Sequence, residues 1–113
     1  MSKVVFKVFE RLHGEFGTSF PEYVFSTEYL GRSKAYLSWL KTTKNECSLA
    51  ATVHLANKLG RERLVYEDAL KRASQSSSAL SSFRVSSIKE RIELFDDLSN
   101  EVRIALTEQP LKS

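Results

Sequence analysis

The side chains most capable of chemistry are scattered singly along this sequence. His13 and His54 have no second ligand at metal-binding spacing, and no motif places a histidine beside Cys47. The pair Asp96-Asp97 lies in a charged stretch that is typical of a solvated helix face. We find no glycine-rich phosphate loop, nucleophile elbow or metal motif. We therefore expect a protein that is not an enzyme and that holds no metal or cofactor.

Positive charge, by contrast, is concentrated in the middle of the chain. Residues 29–63 carry seven lysines and arginines against two glutamates, a net charge of +5 in a chain whose total is +3. The segments 1–28 and 84–113 each have a net charge of −1. This distribution is typical of a local polyanion-binding face, although a solvated surface that favours lysine produces the same pattern.

The elements that position these cations are all predicted to be helices. Apolar residues recur at three- and four-residue spacing and predict helices over residues 3–16, 21–30, 34–41, 49–59 and 62–73. Ser33 and Ser48 are expected to be the N-caps of the third and fourth helices. Gly31 is expected to form the turn before the third helix, and Gly60 to end the fourth. No alternation typical of a strand is present.

The carboxyl-terminal part of the chain has the clearest helical pattern. Residues 74–85 are serine-rich and predict a linker, and residues 86–108 predict one long helix. Its apolar stripe contains Ile88, Ile92, Phe95, Leu98 and Val102. A strict seven-residue repeat is typical of a coiled-coil seam, whereas a widened stripe suits a helix on a globular core. Both remain open, and we expect this stripe to form a homodimer.

The middle of the chain resembles a known family. Residues 30–41, LGRSKAYLSWLK, are similar to the turn and recognition helix of the Cro/phage-repressor (XRE-type) helix-turn-helix family. That family reads leucine, glycine, a turn residue, serine, three variable residues, an aliphatic residue, serine, a variable residue and leucine. The runs ECSL at 46–49 and LANKLG at 55–60 resemble its next loop and helix. Ser26-Thr27 replaces a leucine-alanine pair of the family, which predicts a rotated or shortened second helix.

The resemblance covers residues 20–62 and implies both a fold and a function. The fold is an all-α, lambda-repressor-like bundle of five short helices over residues 1–73, followed by the long helix. The function is sequence-specific binding of double-stranded DNA by a homodimeric transcriptional regulator, with the third helix in the major groove. The implied DNA contacts are Arg32, Ser33, Lys34, Ala35, Tyr36, Ser38, Lys41, Lys44 and Arg61.

An alternative function is a protein-interaction module, such as an antitoxin, antiactivator or phage-type inhibitor, on a helix-turn-helix scaffold. Trp39 leaves this choice open, because it is expected to pack under the last helix, to contact DNA or to lie in a protein interface. The length of 113 residues and the apolar fraction of 42% predict a globular protein. With one cysteine, no signal peptide and no apolar run of membrane-spanning length, we expect a cytoplasmic protein without membrane contact.

Overall fold

The computed structural model describes residues 2–75 and 79–108, without the side chains of residues 79–81. Within these ranges the chain forms helices and turns and no strand, so the predicted all-α class is confirmed there. The elements are α1 (Ser2–Phe16), a 3-10 turn (Gly17–Ser19), α2 (Glu22–Val24), a π-helix (Phe25–Tyr29), α3 (Tyr36–Thr43), α4 (Leu49–Ser74) and α5 (Ala79–Thr107). Over the same ranges, no helix combines the length and apolar character needed to cross a bilayer.

One hydrophobic core joins residues from both ends of the chain. It takes the apolar stripe of α1, the inner face of α3, the first half of α4 and the second half of α5. Its fully buried aliphatic side chains include Val5, Val8, Leu12, Leu37, Leu40, Leu55, Leu59, Leu98 and Val102. Four aromatic rings, Phe9, Phe20, Phe25 and Tyr29, fill the space between α1 and the π-helix at centroid distances of 5.2–6.0 Å. Helix α1 therefore follows the predicted range of residues 3–16 closely.

Helix α4 is longer than predicted and absorbs two expected helices. Its N-cap is Ser48, as predicted, because Ser48 Oγ accepts a hydrogen bond from Ala51 N–H at 3.1 Å. The predicted end at Gly60 is wrong, since Gly60 has no positive φ and α4 continues to Ser74. The ion pair of Lys58 with Glu62 at 2.8 Å spans the glycine and supports the helix across it.

The predicted linker, residues 74–85, is not a separate segment where the structure describes it. Ser74 is the last residue of α4, and α5 begins at Ala79 rather than at residue 86. Residues 76–78 lie outside the described part of the chain. Serine has a middling intrinsic helix propensity, so a serine-rich composition does not by itself exclude a helix.

Helices α4 and α5 run antiparallel along each other. Arg63 Nη1 of α4 lies 2.6 Å from Asp96 Oδ1 of α5. One turn further along α4, the rings of Tyr66 and Phe95 stack at 5.5 Å. The Tyr66 hydroxyl then accepts a hydrogen bond from Arg91 Nη1 at 3.3 Å. In these contacts the residue number increases along α4 while it decreases along α5, so the two helices are antiparallel.

The predicted dimer stripe of α5 is used inside the chain itself. Phe95, Leu98 and Val102 are at most 1% exposed and belong to the same core as α1 and α4. Ile88 and Ile92 are half-buried. In this arrangement the three buried side chains are not available to a second copy, so the widened-stripe interpretation describes α5 and the coiled-coil seam does not.

We predict that Phe95→Ala destabilises the monomer. Removing a fully buried phenylalanine should cost about 3–5 kcal/mol of unfolding free energy through lost transfer energy and a cavity. Ile104→Ala on the same helix is the control, because Ile104 is 54% exposed and should change stability by about 0.5 kcal/mol or less. Urea unfolding followed by circular dichroism measures both. Equal effects of the two substitutions would contradict the assigned packing of α5.

Candidate functional site

The candidate site is built on the turn between the π-helix and α3. Thr27 Oγ1 donates to the carbonyl oxygen of Tyr23 at 2.9 Å, and Leu30 N–H reaches Phe25 O at 3.0 Å across a widened turn. Side-chain bonds to the preceding turn of this kind bend a helix and are compatible with π geometry. The second helix is therefore short, with three α-helical residues followed by the π-helix.

Gly31 ends this segment in a left-handed conformation. Its φ is +64°, a region that glycine enters without the steric cost of a Cβ. Arg32 N–H then donates to Ser26 O at 2.9 Å, which closes the turn in the manner of a glycine-ended helix. The role predicted for Gly31 is confirmed.

The N-terminus of α3 is capped from the preceding helix rather than from its own flank. Leu37 N–H donates to Ser26 Oγ at 3.1 Å, and Ser26 is completely buried. The predicted N-cap Ser33 is wrong, because α3 begins at Tyr36 and Ser33 contributes only its backbone carbonyl to a turn bond with Tyr36 N–H. One sequence feature could have indicated this role of Ser26: it is polar at a position where the Cro/phage-repressor family has an apolar residue.

His54 of α4 supports the turn from below. The His54 Nδ1 atom lies 2.9 Å from the carbonyl oxygen of Tyr29. If Gly31 had a Cβ atom, that atom would lie only 2.8 Å from His54 Cδ2 and 2.9 Å from His54 Nε2. Gly31 therefore combines a positive φ with a close approach to an imidazole ring. Burial, with a smaller contribution from the Glu62 charge, raises the pKa of the nearby Tyr29 phenol well above its ordinary value.

The two faces of α3 differ sharply in character. Leu37 and Leu40 are buried and fix the helix to the core. The opposite side is exposed and includes Ser38, Trp39 and Thr42 of α3, together with Ala35 just before the helix. Three of these four side chains are small, and Trp39 is the one large side chain among them. α3 runs from Tyr36 to Thr43 instead of the predicted 34–41, which leaves Lys34 and Ala35 in the turn before it.

Trp39 and Tyr36 form the aromatic part of this surface. Their rings stack at a centroid distance of 5.8 Å, and Trp39 remains 47% exposed. Packing of Trp39 under the last helix is therefore not observed. Tyr36 is anchored, because its hydroxyl accepts from Ser48 N–H at 3.2 Å and donates to Cys47 Sγ at 3.9 Å. The guanidinium carbon of Arg32 lies 5.8 Å from the Tyr36 ring centroid.

The family model of DUF6626, described as a family of unknown function, matches residues 7–109. The chain belongs to this family. The match includes the turn, α3, α4 and all of α5. No curated protein and no solved structure matches the chain significantly. The resemblance to the Cro/phage-repressor family therefore stays a prediction from the sequence.

The cations around α3 in this DUF6626 chain differ in how far they are already neutralised. Lys41 Nζ lies 3.2 Å from Glu22 Oε1, a half-exposed surface pair of small energetic value. Arg32 Nη2 donates to Ser48 Oγ at 2.9 Å, and Lys34 Nζ lies 6.0 Å from the Tyr23 ring centroid. Within the described ranges, neither of these two cations pairs with a carboxylate.

The remaining predicted contacts lie at different places. Ser38 is exposed on α3, and Lys44 follows α3 in a left-handed conformation with φ 57°. Arg61 does not join this surface, because it lies 13 residues along α4 from Ser48, about 20 Å at 1.5 Å per residue. The structure therefore gathers Arg32, Ser33, Lys34, Ala35, Tyr36, Ser38, Lys41 and Lys44 around the turn and α3 and places Arg61 on a separate part of α4.

The other polar side chains with possible chemical roles have structural partners. His13 Nδ1 lies 2.9 Å from Phe20 O, much as His54 does from Tyr29 O. Cys47 is buried beside the Tyr36 hydroxyl. Across residues 2–75 and 79–108, no group of three histidine, cysteine or acidic side chains is arranged to hold a metal ion.

We predict that Ser26→Ala destabilises the fold more than Ser33→Ala does. The first change leaves the buried Leu37 N–H without its acceptor and should cost about 1–3 kcal/mol. The second removes an exposed hydroxyl outside α3 and should cost about 0.5 kcal/mol or less. Paired urea titrations measure both values. If Ser33→Ala were the more destabilising change, Ser33 rather than Ser26 would be the N-cap of α3, as the sequence predicts.

A second pair of substitutions tests the turn itself. Gly31→Ala should destabilise the protein by at least about 1–2 kcal/mol, since the new Cβ meets both a positive φ and the His54 ring. Gly60→Ala should stabilise it by about 0.5–1 kcal/mol, because Gly60 is inside α4 and its Cβ would point into open space. Opposite shifts in thermal midpoint are expected, and shifts of the same sign would contradict one of the two backbone assignments.

Proposed function

We propose that this protein binds double-stranded DNA through α3 and the turn before it. The observation that carries the proposal is the exposed surface of α3 and the turn before it. There the small side chains of Ala35, Ser38 and Thr42 lie beside the half-exposed Trp39, and the cations Arg32, Lys34 and Lys41 are exposed. An α-helix fits the major groove of B-DNA, and small outward residues let its backbone approach the base edges. Cations at the sides of such a helix lie near the two phosphate backbones.

Lys34 and Lys44 have different roles in this proposal. Lys34 lies in the turn at the amino end of α3, the part of a recognition helix that reaches base edges, where its ammonium can donate to guanine O6 or N7. Lys44 follows the other end of α3, where a phosphate contact is the expected interaction. The Lys41 ammonium has to exchange Glu22 for phosphate, which costs little because both groups are half-exposed.

The proposal uses one chain per binding site. A homodimer through α5 is not part of it, because Phe95, Leu98 and Val102 are buried in the chain's own core. A single recognition helix makes few base contacts, so we expect modest sequence preference and an affinity dominated by phosphate contacts.

The first experiment measures binding to duplexes selected from a random pool, by fluorescence anisotropy at several salt concentrations. Four cations, Arg32, Lys34, Lys41 and Lys44, should give a slope of log affinity against log salt of about −3 to −4. Lys34→Ala should cost about 1–3 kcal/mol and relax preference at one base pair. Lys44→Ala should weaken selected and unselected duplexes equally.

Lys89→Ala is the charge-matched control, because Lys89 is exposed on α5 and far along the chain from α3. It should leave DNA affinity unchanged. Equal losses from Lys34→Ala and Lys89→Ala would show that only net charge matters and would refute recognition by α3.

The second candidate function is a protein-interaction module, and one observation favours it. Trp39 and Tyr23 are 47% and 53% exposed, and exposed aromatic side chains of this size are typical anchors of protein interfaces. If the wild type fails to bind any duplex at about 50 mM salt, this function takes precedence over DNA binding. Trp39→Ala is then the variant expected to abolish partner binding without loss of stability.

A further inference from the structure

A second basic surface lies across α4 and α5, and its lining includes His54, which contacts the turn before α3. It is a shallow groove of about 720 Å³ at the middle of α4. The residues that matter for its chemistry are Asn57, Gly60, Arg61, Arg63, Ser99 and Arg103. Gly60 is one of the lining residues, and a Cβ at this position would find no atom within 4 Å.

The groove concentrates positive charge that its own lining does not neutralise. Arginines occupy three lining positions, and no lining residue is acidic. Arg63 is neutralised from outside the groove, by Asp96 at 2.6 Å and Glu67 at 3.2 Å. Arg61 and Arg103 form no ion pair within the described ranges. Two uncompensated guanidinium groups thus line one concavity.

A second groove on the protein shows that positive and negative side chains are segregated on its surface. The concavity between α1 and α5 has the opposite character, with five carboxylates and one arginine in its lining: Glu10, Glu15, Glu90, Glu93, Asp97 and Arg11. The same helix, α5, therefore contributes Arg103 to a basic groove and three carboxylates to an acidic one. An anion near the protein is attracted to the first groove and repelled from the second.

We propose that the α4/α5 groove binds a phosphate group through Arg61 and Arg103. A planar guanidinium can donate two parallel hydrogen bonds to phosphate oxygens, which makes arginine the preferred ligand for this group. The Asn57 amide and the Ser99 hydroxyl supply neutral donors at the same groove, and Ser99 is 3% exposed. This site goes beyond the proposed function, since it does not depend on DNA binding by α3.

The phosphate has two possible sources, a small phosphorylated molecule or the backbone of a nucleic acid. Titration of the ¹⁵N-labelled protein with inorganic phosphate and then pyrophosphate tests the shared chemistry. We expect saturable shifts of the Gly60 amide and of the Arg61 and Arg103 side-chain resonances. Pyrophosphate should bind at least fivefold more tightly than phosphate, because it offers more oxygens and more negative charge to both guanidinium groups.

The variants Arg61→Gln and Arg103→Gln should each weaken pyrophosphate binding at least fivefold. Arg84→Gln is the matched control, because Arg84 is exposed on α5 outside the groove, and it should leave binding unchanged. All three replaced side chains are exposed, and unchanged circular dichroism verifies folding. Shifts that grow linearly without saturation, or equal losses in all three variants, would overturn the proposal.

A further experiment with duplex DNA distinguishes a small phosphorylated molecule from a nucleic-acid backbone as the source of the phosphate. If pyrophosphate competes with DNA and both groove variants weaken DNA binding, the nucleic-acid backbone supplies the phosphate. If DNA binding is unchanged in the groove variants while pyrophosphate binding falls, the ligand is a small phosphorylated molecule. Failure of Lys34→Ala to affect DNA would refute the α3 proposal and leave this one intact.

Discussion

A single buried hydroxyl, that of Ser26, fixes how α3 meets the rest of the protein. Ser26 Oγ accepts from Leu37 N–H, and Ser26 O accepts from Arg32 N–H, so one residue holds both ends of the turn. A buried amide without a partner is costly, which makes this geometry much more favourable than its alternatives. Gly31 and the His54 ring then fill the space beneath the turn. The orientation of the exposed face of α3 follows from these contacts.

Local sequence signals were sufficient for the elements whose ends are decided locally. The stripe of α1 and the Ser48 cap of α4 depend on residues within a few positions of each other, and both follow the prediction. The start of α3 does not, because Ser33 is the better cap by local rules and Ser26 replaces it from another helix. Gly60 shows the same effect, since an intrinsic cost of about 1 kcal/mol is outweighed by packing on both sides of it.

Partners of an apolar stripe are harder to predict than the stripe itself. The spacing of Phe95, Leu98 and Val102 identifies a buried face of α5, but the same spacing serves a second chain or the chain's own core. For the candidate site, the family resemblance and the local positive charge grouped Arg61 with the cations of α3. Helix geometry separates them, because α4 continues straight past the point where the sequence predicts its end. Arg103, which lines the same groove as Arg61, lies 42 positions away in sequence and in a segment with a net negative charge.

The continuity of α4 also has a structural consequence. A helix of 26 residues is about 39 Å long, and Leu55 and Leu59 anchor α4 in the core. Its first half carries His54, which contacts the turn before α3, and its second half is held to α5 by Arg63 and Tyr66. One uninterrupted helix therefore supports both the turn before α3 and the contact with α5.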